Sequence, residues 1–161
     1  MEQYIKLKTA SSSRLALLEY SRSITNWRHK HAFDLATIPH DIIQDYSLKL
    51  LINEFGGPSV VFRMDPWRFY RFHTDAVRKC AINMLLSGTD SNMYFGTETE
   101  DEEMLIINEL KYQMDSLYLI NTHLKHSVTN RTEVRYMFSM SFKEDVGFDQ
   151  VKSFCQFNNL I

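Results

Sequence analysis

Several things are scarce in this chain of 161 residues. Two cysteines, Cys80 and Cys155, are too few for a disulfide framework and lack the paired spacing of a zinc site. They read as reduced packing residues. Five glycines and three prolines exclude collagen-like, linker-like and low-complexity architectures. Neither sign of charge predominates: the net charge is −2, so bulk electrostatics recommend neither nucleic acid nor an anionic membrane as partner. There is no apolar run of about 18 residues, and the opening MEQYIKLKTASSSRLALLEYS lacks the apolar stretch of a signal peptide. Glycine-rich phosphate loops and G-x-S-x-G elbows are also missing. These absences lead us to expect a cytoplasmic protein with no membrane and no nucleic-acid partner.

What is present is a globular composition, 44 % hydrophobic and 24 % charged, which excludes disorder as the main description. Aromatics make up 13 % of the residues, enough for a real core and a lean towards β structure. The length suits one domain. Residues 1–57 read as helical support. A first helix is expected from about Ser12 to His29, on the spacing of Leu15, Leu18, Ile24 and Trp27. A second is expected over Asp41–Phe55, capped by Asp41 and stopped by Gly56–Gly57–Pro58.

From residue 58 the texture changes. SVVFRM and WRFYRFH read as a hairpin about the turn dipeptide Asp65–Pro66. KCAINMLLSG, NMYFG, MLIINELKY, SLYLINT and VRYMFSMSF follow as further strands, with TETEDEE as a solvated hairpin tip. Seven short strands over residues 58–143 predict a β-sandwich or barrel, and FDQVKSFCQF within 144–161 predicts a C-terminal helix.

Six histidines occur, and company decides which of them matter. His73 lies two residues before Asp75. On a strand that spacing puts an imidazole and a carboxylate on one face, where both can reach one metal ion. His126 follows 53 residues later, with His123 as the competing candidate three residues earlier. Two histidines and one carboxylate leave coordination positions open, as in non-haem Fe(II) oxygenases. Arg135, on the strand expected to neighbour that of His126, can offer a bidentate fork to a carboxylate near the metal. Asn83 interrupts an apolar run and needs a polar partner. Tyr70 and Ser139 are further candidates, Ser139 sharing a strand face with Arg135. Trp67, Phe69, Tyr118 and Phe138 are candidates for a pocket wall. Arg78 and Lys79 read mainly as a solvated face.

The motifs H-T-D, R-K-C-A-I-N-M-L-L and N-T-H-L-K-H-S-V-T-N-R-T-E-V-R-Y-M-F-S-M-S-F resemble the 2-oxoglutarate and Fe(II)-dependent dioxygenase superfamily. The nearest likeness is to its small prolyl or aspartyl/asparaginyl hydroxylase-like members, including phage-borne ones. The resemblance covers roughly residues 58–143. It implies a double-stranded β-helix, the cupin-like form of jelly roll. It also implies iron ligands His73, Asp75 and His126, and a 2-oxoglutarate site built on Arg135, with Asn83, Tyr70 and Ser139 as further contacts. Fe(II), 2-oxoglutarate and O2 would then serve to hydroxylate a protein side chain or a small molecule. A cupin-like metalloenzyme without 2-oxoglutarate, and a non-catalytic β-sandwich interaction module, are the competing readings.

Overall fold

A computed structural model describes all 161 residues. Where β-branched, aromatic and long apolar residues run together, the chain forms strands. These are β4 (Ser59–Met64), β5 (Arg68–His73), β6 (Ala81–Ser87), β7 (Ser91–Glu98), β8 (Met104–Lys111), β9 (Ser116–Ile120), β10 (His126–Asn130) and β11 (Arg135–Ser141). Residues 58–143 thus hold eight strands, the additional one being β10. Three more precede them: β1 (Tyr4–Ala10), β2 (Arg28–Lys30) and β3 (Phe33–Thr37). The helices are α1 (Arg14–Ser23), α2 (Tyr46–Phe55) and α3 (Phe148–Phe157). None is long and apolar enough to cross a membrane.

All pairings are antiparallel. The larger sheet has the order β1-β9-β6-β11-β4-β3-β2, and the smaller β5-β10-β7-β8. Two antiparallel sheets facing one another make a jelly roll, as expected from the sequence. The two-residue period of the strands sorts their side chains into two cores. Ile82, Met84, Leu86, Leu117, Leu119, Phe138 and Met140 face the helices, where they meet Leu17, Leu51, Val151 and Cys155. Leu85, Tyr118, Ile120 and Met137 point the other way, between the sheets, against Met93 and Phe95.

Three expectations need correction. Residues 1–57 are not helical only: β1 adds to one edge of the larger sheet through β9, and the β2–β3 hairpin extends the other through β4. Consequently α1 stops at Ser23 and residues 28–30 are a strand. The second helix starts later than expected. Asp45, not Asp41, is its N-cap, with the carboxylate accepting from the Leu48 N–H at 3.2 Å, while His40–Ile42 form a separate 3-10 turn. Lastly, β4 and β5 are not a hairpin. Asp65–Pro66 does turn the chain, but it carries it from one sheet to the other, β4 pairing with β11 and β3, and β5 with β10. Sheet-switching connections are what a jelly roll requires.

The helix stop is as read. Gly56 and Gly57 take φ of 61° and 107°, and a Cβ on Gly57 would fall 2.1 Å from the Ser141 carbonyl oxygen. The tail helix and the TETEDEE tip, between β7 and β8, also lie where the sequence puts them.

Candidate metal centre

The β5–β10 ladder sets His73 directly opposite His126, the ring centroids 4.3 Å apart. Cross-strand partners on one face are the nearest neighbours a sheet offers. Asp75 lies just past the end of β5, not on it. Its backbone N–H donates to the Thr122 carbonyl (3.1 Å), and the Thr122 hydroxyl donates to the Arg78 carbonyl (2.8 Å), tying down the loop that carries it. One ligating atom from each of His73, Asp75 and His126 falls within 4.8 Å of the others. His123 is exposed and outside this group.

Both imidazoles are oriented alike. Nδ1 of His73 faces the Arg71 carbonyl and Nδ1 of His126 the Leu124 carbonyl, each at 2.9 Å. A carbonyl only accepts, so each Nδ1 carries the proton and each Nε2 is left with its lone pair. Nε2 of His73 is 3.6 Å from Asp75 Oδ1. Burial pushes the His126 pKa down to about 4, keeping the ring neutral as a metal requires. Burial alone would raise the Asp75 pKa, but the Arg78 guanidinium, which donates to Oδ2, counteracts it, and the carboxyl is held well below its usual range.

Arg78 is a finding the sequence undersold. Far from a solvated face, its Nε donates to Asp75 Oδ2, and its Nη1 donates to the Ser139 hydroxyl at 2.9 Å and contacts the Ser141 hydroxyl at 3.5 Å. Lys79, in contrast, is exposed.

Arg135 opens β11, whose partners are β4 and β6, so it stands in the sheet facing His126 and not beside it. This corrects the neighbouring-strand expectation. The side chain still reaches the same cavity, of about 450 Å³, that His73, Asp75, His126, Asn83 and Tyr70 line. Arg135 is buried, forms no ion pair, and its Nε has no partner; the Tyr112 ring lies 5.9 Å from the guanidinium carbon. Desolvation lowers its pKa. On β6, Asn83 shares a 3.3 Å hydrogen bond with the Tyr112 hydroxyl, and its amide oxygen is buried without a partner. Ser139 is taken up by Arg78. Tyr70 packs on His73 with centroids 4.1 Å apart.

The expected pocket wall is different. Trp67 and Phe69 are exposed, Phe138 points into the helix-facing core, and Tyr118 packs against Tyr4 and Tyr112. The aromatic lining consists of Phe33, Phe62 and Tyr70. Phe33 went unread because β3 itself went unread; Tyr112 carried no signal until its ring was placed beneath Arg135.

No protein-family model and no curated protein matches the chain. Solved structures do match in fold. The chain is similar to an oxidoreductase of the 2OG-Fe(II) oxygenase family from Burkholderia pseudomallei at 13 % identity and a TM-score of 0.57, covering 92 % of this chain and 87 % of that one. A Pseudomonas putida prolyl-4-hydroxylase matches at 14 % identity and a TM-score of 0.57, with 91 % and 95 % covered. The non-heme alpha-ketoglutarate-dependent epimerase SnoN from nogalamycin biosynthesis matches at 10 % identity and a TM-score of 0.63, with 89 % and 78 % covered. The fold is therefore that of 2-oxoglutarate and Fe(II)-dependent oxygenases, as the sequence motifs led us to expect.

Proposed function

We propose that this chain is a 2-oxoglutarate-dependent dioxygenase that binds Fe(II) through His73, Asp75 and His126. The observation that carries the reading is Arg135. A buried guanidinium without a carboxylate is costly, and this one opens into the same cavity as the two histidines and the aspartate. The unpartnered Asn83 amide oxygen lies on a neighbouring strand. The orphaned Arg135 guanidinium fits an anionic molecule that completes the cavity, whereas the Asn83 amide oxygen, an acceptor, calls for a donor such as a hydroxyl or a water.

The donor set fits iron as well. Two neutral Nε2 atoms and one anionic oxygen leave further coordination positions open, the pattern of non-haem Fe(II) sites. Fe(II) with 2-oxoglutarate and O2 supplies the chemistry that oxidises a substrate C–H bond while 2-oxoglutarate is decarboxylated to succinate. The chain's own part is placement and exclusion of water. Arg135 holds the far carboxylate of 2-oxoglutarate, with Asn83 and Tyr70 beside it. Arg78 keeps Asp75 charged and directs Oδ1 towards the histidines. Phe33, Phe62 and Tyr70 keep the space over the metal dry. The substrate is a small molecule or a protein side chain.

An anaerobic titration with Fe(II) and 2-oxoglutarate tests this. Visible charge-transfer absorption is expected only with both present, followed by O2-dependent succinate release. Iron binding without 2-oxoglutarate binding would overturn it in favour of a cupin-like metalloprotein.

A further inference from the structure

We propose that the mouth of the cavity is an oxyanion subsite, and that the substrate is a small molecule with an apolar body and a carboxylate or phosphate at its far end. The substrate assignment rests on the oxygenase reading; the subsite itself rests on β2 and the cavity wall.

Alternation along β2 puts Arg28 and Lys30 on one side of the strand, where both line the cavity. His29 points the other way, with its Nδ1 2.9 Å from Asp34. Neither Arg28 nor Lys30 has a carboxylate within 4 Å, since no ion pair involves them. Asp34 on the adjoining β3 is engaged by His29 and Arg63, and Asp65, just past β4, by Arg63. Around the cavity stand Arg28, Lys30, Arg78 and Arg135, and the single acidic lining residue is Asp75, which already faces Arg78. In a chain of net charge −2 this is a local concentration of positive field, and a low-dielectric cleft focuses it.

With Arg135 matched to the cosubstrate and Arg78 to Asp75, the two cations at the mouth keep no counter-charge. Between them and the histidines the wall is aromatic. Phe33 packs on Phe62 and on Tyr70, each at 4.9 Å, and rings in contact run from His31 to Tyr70 (5.7 Å) and on to His73 (4.1 Å). A ligand spanning this path is apolar along its body and anionic at its outer end. A cavity of about 450 Å³ shared with a cosubstrate leaves room for a small molecule and not for a folded segment.

The probes are 3-phenylpropionate, phenyl phosphate and the neutral 3-phenylpropanamide, followed by ligand-observed NMR on the metal-free protein. At least one anion is expected to bind tenfold or more tightly than the amide, with a preference that weakens as salt is raised. The tighter of the two anions identifies the headgroup. Arg28→Gln/Lys30→Gln is expected to erase the preference, and Lys30→Glu to reverse it, circular dichroism checking that both variants fold. Equal binding of anions and amide would overturn the proposal. So would an anion preference that survives in the double variant and vanishes in Arg135→Gln, or tighter binding of a single-stranded oligonucleotide than of either small anion. The measurement needs neither iron nor turnover, so the two readings fail separately: anion binding at Arg28 and Lys30 without any succinate formation keeps the subsite and sinks the oxygenase.

Discussion

Arg135 is the side chain whose two energetic roles pull hardest against each other. In the free protein it is a buried cation whose charge meets only the face of Tyr112, an arrangement that favours binding at the expense of folding. Arg135→Met keeps most of the volume and removes the charge. We expect the metal-free protein to gain about 1 kcal/mol in urea unfolding, while 2-oxoglutarate binding to the Fe(II) protein weakens roughly 100-fold. A variant that loses stability and affinity together would mean that Arg135 is structural. Arg78 acts at one remove, through Asp75. Its Nε–Oδ2 and Nη1–Ser139 contacts need a planar fork that lysine lacks. Arg78→Lys should therefore weaken Fe(II) binding by about 10- to 100-fold, with 2-oxoglutarate affinity of the metal-saturated protein nearly unchanged. Separate titrations of metal and cosubstrate distinguish that outcome from a general loss of the site. Both arginines stand in the sequence without any mark of burial. Arg135 could be picked out by its spacing from His126, whereas Arg78, three residues past Asp75, looks like any solvated base until β11 is folded against it.

Elements differ in how well the sequence announces them, and burial explains the difference. β6 and β11 are legible because their residues are mostly buried on both faces, between the helices and the cavity, and β4, half buried, shows a β-branched and aromatic run. β1 and β2 are edge strands: only Leu7 of β1 is buried, and β2 is exposed throughout, so neither shows an apolar face. The His73–Asp75 pair was legible only in company with His126 and Arg135 downstream, and Asp75 reaches the site from a loop and not from the strand the spacing assumed. β10 is the instructive case. Apart from Val128, its buried residues are polar (His126, Ser127 and Asn130), because it gives one candidate ligand to the centre and uses the Asn130 amide to hold the Met64, Asp65 and Glu133 carbonyls. A strand that serves the site loses the hydrophobic pattern by which strands are found. Element ends hold the site residues as firmly as the strands do. Gly88, just past β6, has φ of 88°, and a Cβ there would stand 2.7 Å from Arg135 Cα. Gly88→Ala should cost about 1–3 kcal/mol in unfolding free energy and lower 2-oxoglutarate affinity by displacing the start of β11. Iron affinity should hold, since His126 sits at the other end of β10, paired with His73 and Phe95, and only the Asn130–Arg131 end meets that turn, at Asp90. Equal losses for metal and cosubstrate would show that the strain spreads beyond Arg135.

At the scale of the whole molecule, the two cores divide the labour. The core between the larger sheet and the helices contains none of the three candidate ligands, so we expect the chain to fold without metal. The centre instead joins the end of β5, the loop after it and β10, all at the smaller sheet. Metal that binds only the folded chain stabilises it by mass action, about 2.7 kcal/mol at a hundredfold excess over Kd. For a chain of this length that is a rise in Tm of roughly 5–10 °C. We expect Fe(II) under argon to produce that rise, a chelator to reverse it and His126→Ala to abolish it. A core substitution far from the centre supplies the control. Leu51→Ala empties a buried position in α2 and should lower stability by about 2–5 kcal/mol. The increment from metal should survive it, because distant sites add. If Leu51→Ala also erased the increment, the helical layer and the metal centre would form one cooperative device. The separation of a helix-backed scaffold from a site carried on the smaller sheet would then fail.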